Sequence, residues 1–338
     1  MRLRWPGILL LLLLTSAVLL LFGLLLGPIS IAPVQVVKAL FHFDGSSEAR
    51  IVREVRLPTV VTAWVAGAGL AVSGLLMQTL FRNPLAGPSV LGVSSGSALG
   101  VSIVLLLQPL WALAPGISEL ALLTAAAAGG IGVLVLMLLA DRRLGDTTTL
   151  LIVGLMVGYL CSAAISVLQV GSAAGPVKGF VQWGMGTFSG VPLQRLPWLV
   201  VPVLIALVVS ILLVKPLNAL LLGVEQAATL GTDVNRARRR ILWTAGVLAS
   251  VITAFCGPIA FLGLATPHLA RAVVKSADHT LLLPVSLLLG GALAVACDLV
   301  MRLPGVDGSL PLNAITSLLG APVVLWVLLR KDQWTART

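Results

Sequence analysis

The run Gly92-Val93-Ser94-Ser95-Gly96 has the G-x-S-x-G spacing of a nucleophile elbow, which lifts a serine onto a sharp strand-to-helix turn. That chemistry needs a strand before the serine, and a carboxylate and a histidine after it. Here the Pro-rich turn Arg82-Asn83-Pro84-Leu85-Ala86-Gly87-Pro88 precedes the serine and an apolar stretch follows. His268 is the one histidine inside an apolar segment, and His42 and His279 read as solvated loop residues. Cys161, Cys256 and Cys297 lie far apart in apolar segments, with neither metal-site spacing nor a disulfide framework, and read as small packing residues. The chain contains no G-x-x-x-x-G-K-[ST] loop for nucleotide phosphates. These residues assemble no catalytic site, no metal site and no site for a resident cofactor.

The carboxylates are equally telling. No Asp or Glu lies near the middle of any apolar stretch; Asp298 sits toward the end of one, four residues before Arg302, where the two can pair on one helix face. A proton- or sodium-coupled carrier uses buried carboxylates or ion sites at broken helices. Without them, the energy for moving a solute must come from another polypeptide. A passive channel or secondary carrier is the alternative of a different class, and co-purification of a nucleotide-hydrolysing subunit separates the two.

The elements that would carry these residues are membrane helices. Hydrophobic residues make up 58% of the 338 residues and charged residues 10%, against roughly 25% charged in a soluble domain. Apolar periodicity and length place ten spans, near 8–27, 59–81, 90–108, 119–140, 148–170, 196–214, 241–257, 259–274, 284–301 and 311–329. The first is too long for a signal-peptide core and lacks an A-x-A site, so it reads as a retained span. The fold class is all-α, a polytopic integral membrane protein of one domain over residues 1–338.

The net charge of +10 is mostly topological rather than a nucleic-acid footprint. With the N-terminus inside, 15 of the 22 basic residues fall on inner segments. Both termini are then cytoplasmic. Trp5, Trp111, Trp198, Trp243 and Trp334 fall near span ends, where an aromatic belt contacts lipid head groups.

Three segments between spans are long: Pro28–Pro58 and Gly171–Pro197 outside, and Lys215–Arg240 inside. In the last, Val224 to Gly231 reads as a short amphipathic helix ending at a glycine cap. Arg236, Arg238, Arg239 and Arg240 follow it, either as a lipid-facing anchor or as a docking element for a cytoplasmic partner. Gly257-Pro258 breaks the eighth span, which is tolerated only where protein or a water-filled cavity satisfies the freed backbone groups. Gly92, Gly96 and Gly100 share a helix face, as do Gly154 and Gly158; Gly67, Ser73 and Gly74 cluster in the second span. Such residues pack helices closely, or leave room along a wide path for a bulky solute.

Taken together, Arg56-Leu57-Pro58, Gln78, Phe81, Asn83-Pro84-Leu85-Ala86, Leu91-Gly92-Val93-Ser94, Gly257-Pro258-Ile259, Phe261-Leu262-Gly263-Leu264, Pro267-His268, Arg271, Asp298 with Arg302, and Leu319-Gly320-Ala321-Pro322 resemble the FecCD-type permeases over essentially the whole chain. These are the membrane subunits of ABC importers for vitamin B12, haem and iron-siderophore complexes. The resemblance implies the type II ABC importer architecture in a bacterial inner membrane. Two permease subunits, a homodimer, would flank a central path, with two cytoplasmic ATPase subunits and an extracytoplasmic substrate-binding protein. It further implies that Glu225, Ala228 and Gly231 belong to the loop that couples to the ATPase. Asn83, Leu85, Thr147 and Thr148 would close the inner mouth. Arg56 and Arg302 would receive acidic residues of the binding protein, although Thr59 stands where the family often carries a further arginine. The family's commonest cargo is an iron(III)-siderophore chelate, with haem and cobalamin as alternatives. Tyr159 and His268 each stand alone as candidate haem contacts.

Overall fold

The computed structural model describes residues 5–107, 115–302 and 310–329, and among them every regular element is a helix. Trp111, Trp334, Arg2, Arg4, Arg330, Lys331 and Arg337, used above for the belt and the charge asymmetry, lie outside the described residues. Helix α1 (Trp5–Leu25) is followed by the short α2 (Pro33–Phe41) and α3 (Ser47–Arg50). The chain then runs through a π-turn at Ile51–Arg56 into α4 (Leu57–Leu80). The long segment 28–58 is thus largely helical. Ser46 caps α3 by accepting the Ala49 N–H, and Ile31, Val36, Ala39, Ala49 and Val52 bury a small core of their own.

A 3₁₀ turn at Pro88–Leu91 leads into α5 (Val93–Leu106), then α6 (Pro115–Leu144) and α7 (Thr147–Val170). Next come α8 (Ala174–Gly184), α9 (Leu196–Leu212), α10 (Val214–Leu222) and α11 (Val224–Thr229). The chain ends with α12 (Val234–Cys256), α13 (Leu262–Val274), α14 (His279–Met301) and α15 (Leu312–Leu329). Among the described residues six helices are long and apolar enough to cross a membrane, and a seventh span arises if α9 and α10, bent by 50°, count as one. Helix α5 is apolar but shorter, as is the Leu312–Trp326 part of α15. Helix α13 has 13 residues, about 20 Å at the α-helical rise, too short to cross a hydrocarbon core of about 30 Å alone. The expected ten full spans therefore resolve into full-length, bent and partial helices.

Segment 215–240 is also mostly helical. It holds most of α10, all of α11 and the start of α12. The arginine cluster lies on α12 because Asp233 starts that helix by accepting the Arg236 N–H, well before the apolar stretch begins. A second revision concerns His279. It is the first residue of α14 and is almost fully buried, not solvated.

Helix α4 is the centre of the bundle, with nearly every residue from Pro58 to Leu80 buried. A helix apolar on all sides is covered either by lipid or by other helices; α1 is largely left to lipid and α4 is covered by protein. Helix α4 packs on α14, α12, α13, α9 and α1. The approach is so close that a methyl added at Gly74 would lie 1.6 Å from the Gly263 carbonyl oxygen of α13, and one at Gly67 2.2 Å from the Gly290 oxygen of α14. Gly96 of α5 meets Gly129 of α6 in the same way. These glycines bring backbones together; they do not line an open path. Gly74→Ala should therefore destabilise the protein by about 1–3 kcal/mol or more, because backbone cannot yield as a side chain can. Gly132→Ala, where nothing lies within 4 Å, should be neutral or stabilising. Thermal unfolding in detergent checks the pair, and equal effects at the two positions would refute the packing argument.

Candidate functional site

A cavity of about 290 Å³ opens between α4, the loop after it, the start of α5, the end of α12 and the break before α13. Leu70, Leu85, Val90, Ile259, Phe261 and Leu264 form its apolar wall. The polar side chains are Ser89, Ser94, Thr253 and Asn313, and among the described residues no charged one lines it. The Ser94 and Thr253 hydroxyls stand 3.5 Å apart. Ser94, the serine of the apparent nucleophile elbow, thus meets a hydroxyl and no base.

The break at Gly257-Pro258 builds one side of this cavity, and its backbone groups are satisfied by protein. The Thr187 N–H donates to the Cys256 carbonyl at 2.8 Å. The Asn313 amide donates to Pro258 O at 2.8 Å and to Gly184 O at 3.0 Å, while its oxygen accepts the Ala260 N–H at 2.9 Å. Phe261 follows at φ 63°, with the Leu262 N–H bonded to Ala260 O at 2.8 Å in a tight γ-turn. Such a turn is strained for a non-glycine residue. It is held because the Phe261 side chain sits against Gly320, where a methyl would come within 2.4 Å of its Cβ. Asn313 escaped the sequence reading; the available signal was an amide at the start of an apolar span, which must find partners.

The loop that presents Leu85 is anchored from below. The Asn83 carboxamide oxygen accepts the Leu85 N–H at 2.9 Å, so Asn83 shapes the turn rather than reaching outward. His268 Nε2 meets the Pro84 carbonyl at 2.8 Å. Arg271 donates to the Gln78 side chain at 2.5 Å, and Gln78 donates to Leu264 O at 3.1 Å. His268 is thus a buried structural contact. His279 links Thr79, at 2.8 Å, to Asn218 of α10, also at 2.8 Å, and Asn218 donates to Asp278 at 2.7 Å. The Thr280 hydroxyl and N–H, together with Asn218, hold the Asp278 carboxyl below its usual range.

Thr147 and Thr148 open α7, where Asp146 accepts the Thr149 N–H and hydroxyl, each at 2.7 Å. These two bonds hold the Asp146 carboxyl below its ordinary range. Among the described residues no hydrogen bond joins these threonines to Asn83 or Leu85. The 3₁₀ turn that follows Leu85 packs its Val90 carbonyl against Gly154 of α7.

Helix α11 ends in a Schellman motif: Thr232 N–H donates to Ala227 O, and Gly231 N–H to Ala228 O, both at 3.0 Å. Gly231 adopts φ 82°, with open space where a Cβ would stand. Ala227 is buried, while Glu225 and Ala228 face outward. Leu221, Leu222, Val224 and Leu230 surround them, each at least 45% exposed. This is an apolar surface with an acidic residue on it.

At the opposite end of the bundle, Arg56 is 3% exposed. It donates to Leu24 O and Leu25 O at 2.8 Å each and to Ile29 O, closing the carbonyl end of α1. Arg302 pairs with Asp298 at 2.5 Å, as their spacing suggested, and donates to Gly23 O at 3.3 Å. Both arginines therefore serve the end of α1.

Residues 11–330 match the FecCD transport family, and the chain belongs to that family of ABC importer permeases. It is 35% identical over 280 residues to the hemin transport system permease protein of Yersinia pestis, covering 82% of this chain and 83% of that one. It is 37% identical over 293 residues to the vitamin B12 import system permease protein of Vibrio cholerae, covering 86% of each. It is 38% identical over 280 residues to the cobalamin import system permease protein of Halobacterium salinarum, covering 82% and 73%. A solved inward-facing conformation of a metal-chelate type ABC transporter superposes with a TM-score of 0.83 at 30% identity, covering 97% of this chain and all of that one. The chain is a transport subunit, and ATP hydrolysis belongs to a separate subunit.

The cavity wall depends on Asn313. Asn313→Leu keeps the volume but leaves Ala260 N–H, Pro258 O and Gly184 O without it. We expect a loss of roughly 2–4 kcal/mol, the cost of several buried groups left unpaired, and faster hydrogen exchange at Ala260. An unchanged melting temperature with unchanged Ala260 protection would show that the break does not need this residue.

Proposed function

We propose that the chain imports a preformed metal chelate, first an iron(III)-siderophore, as half of a homodimer in a bacterial inner membrane with both termini cytoplasmic. The observation that carries this reading is the uncharged cavity lined by apolar side chains, hydroxyls and one amide. It offers no axial ligand for haem: His268 is occupied at Pro84 O, and Tyr159 lies on α7, outside the lining. A chelate that arrives wrapped needs only a smooth passage. Cobalamin is the second reading, favoured by the relatives named for that cargo. Competition for uptake among a labelled ferric siderophore, haem and cobalamin tests the choice; displacement by cobalamin but not by excess siderophore would overturn it.

The end that carries α11 and the 82–88 loop is the cytoplasmic one. The surface of Glu225, Ala228 and the leucines around them supports a role in gripping the ATPase. Gly231→Trp should abolish import while the permease still inserts and folds, whereas Gly231→Asn, which tolerates left-handed backbone, should import. Wild-type uptake by Gly231→Trp with the ATPase bound would end this assignment. Asn83, Leu85, Thr147 and Thr148 form the inner closure where two copies meet. Leu85→Cys or Thr148→Cys, in a background without the three native cysteines, should cross-link between copies in a nucleotide-dependent way. Absence of cross-links in every state would count against it.

Outside, we assign Arg56 and Arg302 to the surface that meets the binding protein, with an altered division of labour. Arg302, the less buried, contacts the partner; Arg56 holds the end of α1 beneath it. Rim charges act mainly on encounter and register. Arg302→Gln should therefore slow docking at low salt and blunt its salt dependence. Equal association rates for mutant and wild type at low ionic strength would remove Arg302 from this surface.

A further inference from the structure

We propose that two arginine-to-carbonyl bridges, Arg82 to Leu220 and Arg238 to Gly145, transmit the motion of α11 to the two closure segments. This rests on the coupling and closure roles assigned above and adds the parts that connect them.

The first bridge lies upstream of α11. Arg82 stands two residues past the end of α4, at φ 47°, a left-handed reversal that no glycine relieves. That reversal turns the backbone into the Asn83–Leu85 closure. It also sends the guanidinium to α10, where Nη2 donates to Leu220 O at 3.0 Å. Leu220 lies three residues before Gly223, the joint at φ 122° between α10 and α11. A Cβ at Gly223 would stand 3.3 Å from the same Nη2, so the guanidinium lies directly against the joint. The other face of the loop is held to α13 by His268 at Pro84 O. The closure turn is thus fixed to α13 on one side and to the coupling segment, through Arg82, on the other.

The second bridge lies downstream. Arg238, in the first turns of α12, donates from Nη1 to Gly145 O at 2.8 Å and pairs with Asp141. Gly145 is the left-handed turn residue just before the Asp146 cap and the Thr147–Thr148 closure. Arg238 and Asp141 are both more than 90% buried, so this contact is rigid and shielded from water. Displacing α11 must pull on α10 at one end and on α12 at the other. Each pull then arrives at a different closure through one side chain. Arg82 and Arg238 act as positioning residues, because neither touches the cavity.

The two bridges differ in geometry, and that makes them separable. Arg82 makes one bond from an exposed position, so Arg82→Ala should fold and a lysine can replace the single donor. Arg238 makes two contacts that need a planar fork, so Arg238→Lys should keep Asp141 and lose Gly145. The test uses the complete importer in liposomes, in a background without native cysteines, with Leu85→Cys or Thr148→Cys as reporters and no cargo. For Arg82→Ala we expect continued ATP hydrolysis. The nucleotide-dependent change in Leu85→Cys cross-linking should shrink about tenfold, the scale one charged hydrogen bond sets. Thr148→Cys should respond as in wild type, and Arg82→Lys should restore the Leu85→Cys response. Arg238→Lys should show the converse, silencing Thr148→Cys alone. A merely structural role would lower assembly and weaken both reporters together, and that result overturns the proposal. So does an undiminished Leu85→Cys response in Arg82→Ala. If the wild type shows no nucleotide-dependent cross-link at either position, the closure assignment itself fails and the bridges lose their meaning with it.

Discussion

A carbonyl freed from its helix has no water to turn to inside a bilayer, and this protein answers that constraint almost everywhere with a single long side chain. Arg56 takes three carbonyls at the end of α1, and Arg302 takes a fourth. Asn313 serves the break before α13. His268 meets Pro84 and Arg238 reaches Gly145. Irregular backbone can then exist at membrane depth, and irregular backbone shapes the cavity. A continuous helix through residues 257–261 would replace the Phe261 turn with a smooth wall.

The same economy of polar groups explains where the molecule is stiff. Around α4 the helices touch backbone to backbone at Gly67, Gly74, Gly263 and Gly290, so there is no slack for one to slide past another. The surroundings of Gly231, at the end of α11, are open instead, whereas Gly223, between α10 and α11, is a left-handed joint packed by Gln226 and Arg82. A stiff bundle suits the proposed coupling role, in which force entering at one surface must emerge at another.

The sequence made the membrane class, most helix positions and the need to satisfy the Gly257-Pro258 break legible, because each follows from local composition or from a local rule. The pairing of Asp298 with Arg302 was legible for the same reason, being one helical turn apart. What stayed hidden depended on distance in the chain. His279 reads as a loop residue until Thr79, 200 positions earlier, is found beside it. Arg56 reads as a surface charge until α1 ends against its guanidinium. The arginines after α11 read as one cluster, yet Arg238 is drawn inward by Asp141 while Arg239 stays exposed. The small residues could be read as packing or as path; only the neighbours across each helix decide, and for Gly96, Gly129, Gly67 and Gly74 they decide for packing.

An uncharged cavity has a mechanical consequence. A ligand can shift a conformational equilibrium only by its differential affinity for the two states. A wall of apolar side chains, hydroxyls and one amide gives the proposed cargo, a wrapped chelate, little to hold, and on that reading cargo binding inside the permease does not drive the cycle. Weak holding is also what release requires. The affinity must then reside in the binding protein outside and the energy in the ATPase inside. On that reading everything that joins them passes through contacts outside the cavity: Arg56, Arg82, Arg238 and Arg302 lie at or near helix ends, and none of the described lining residues is charged.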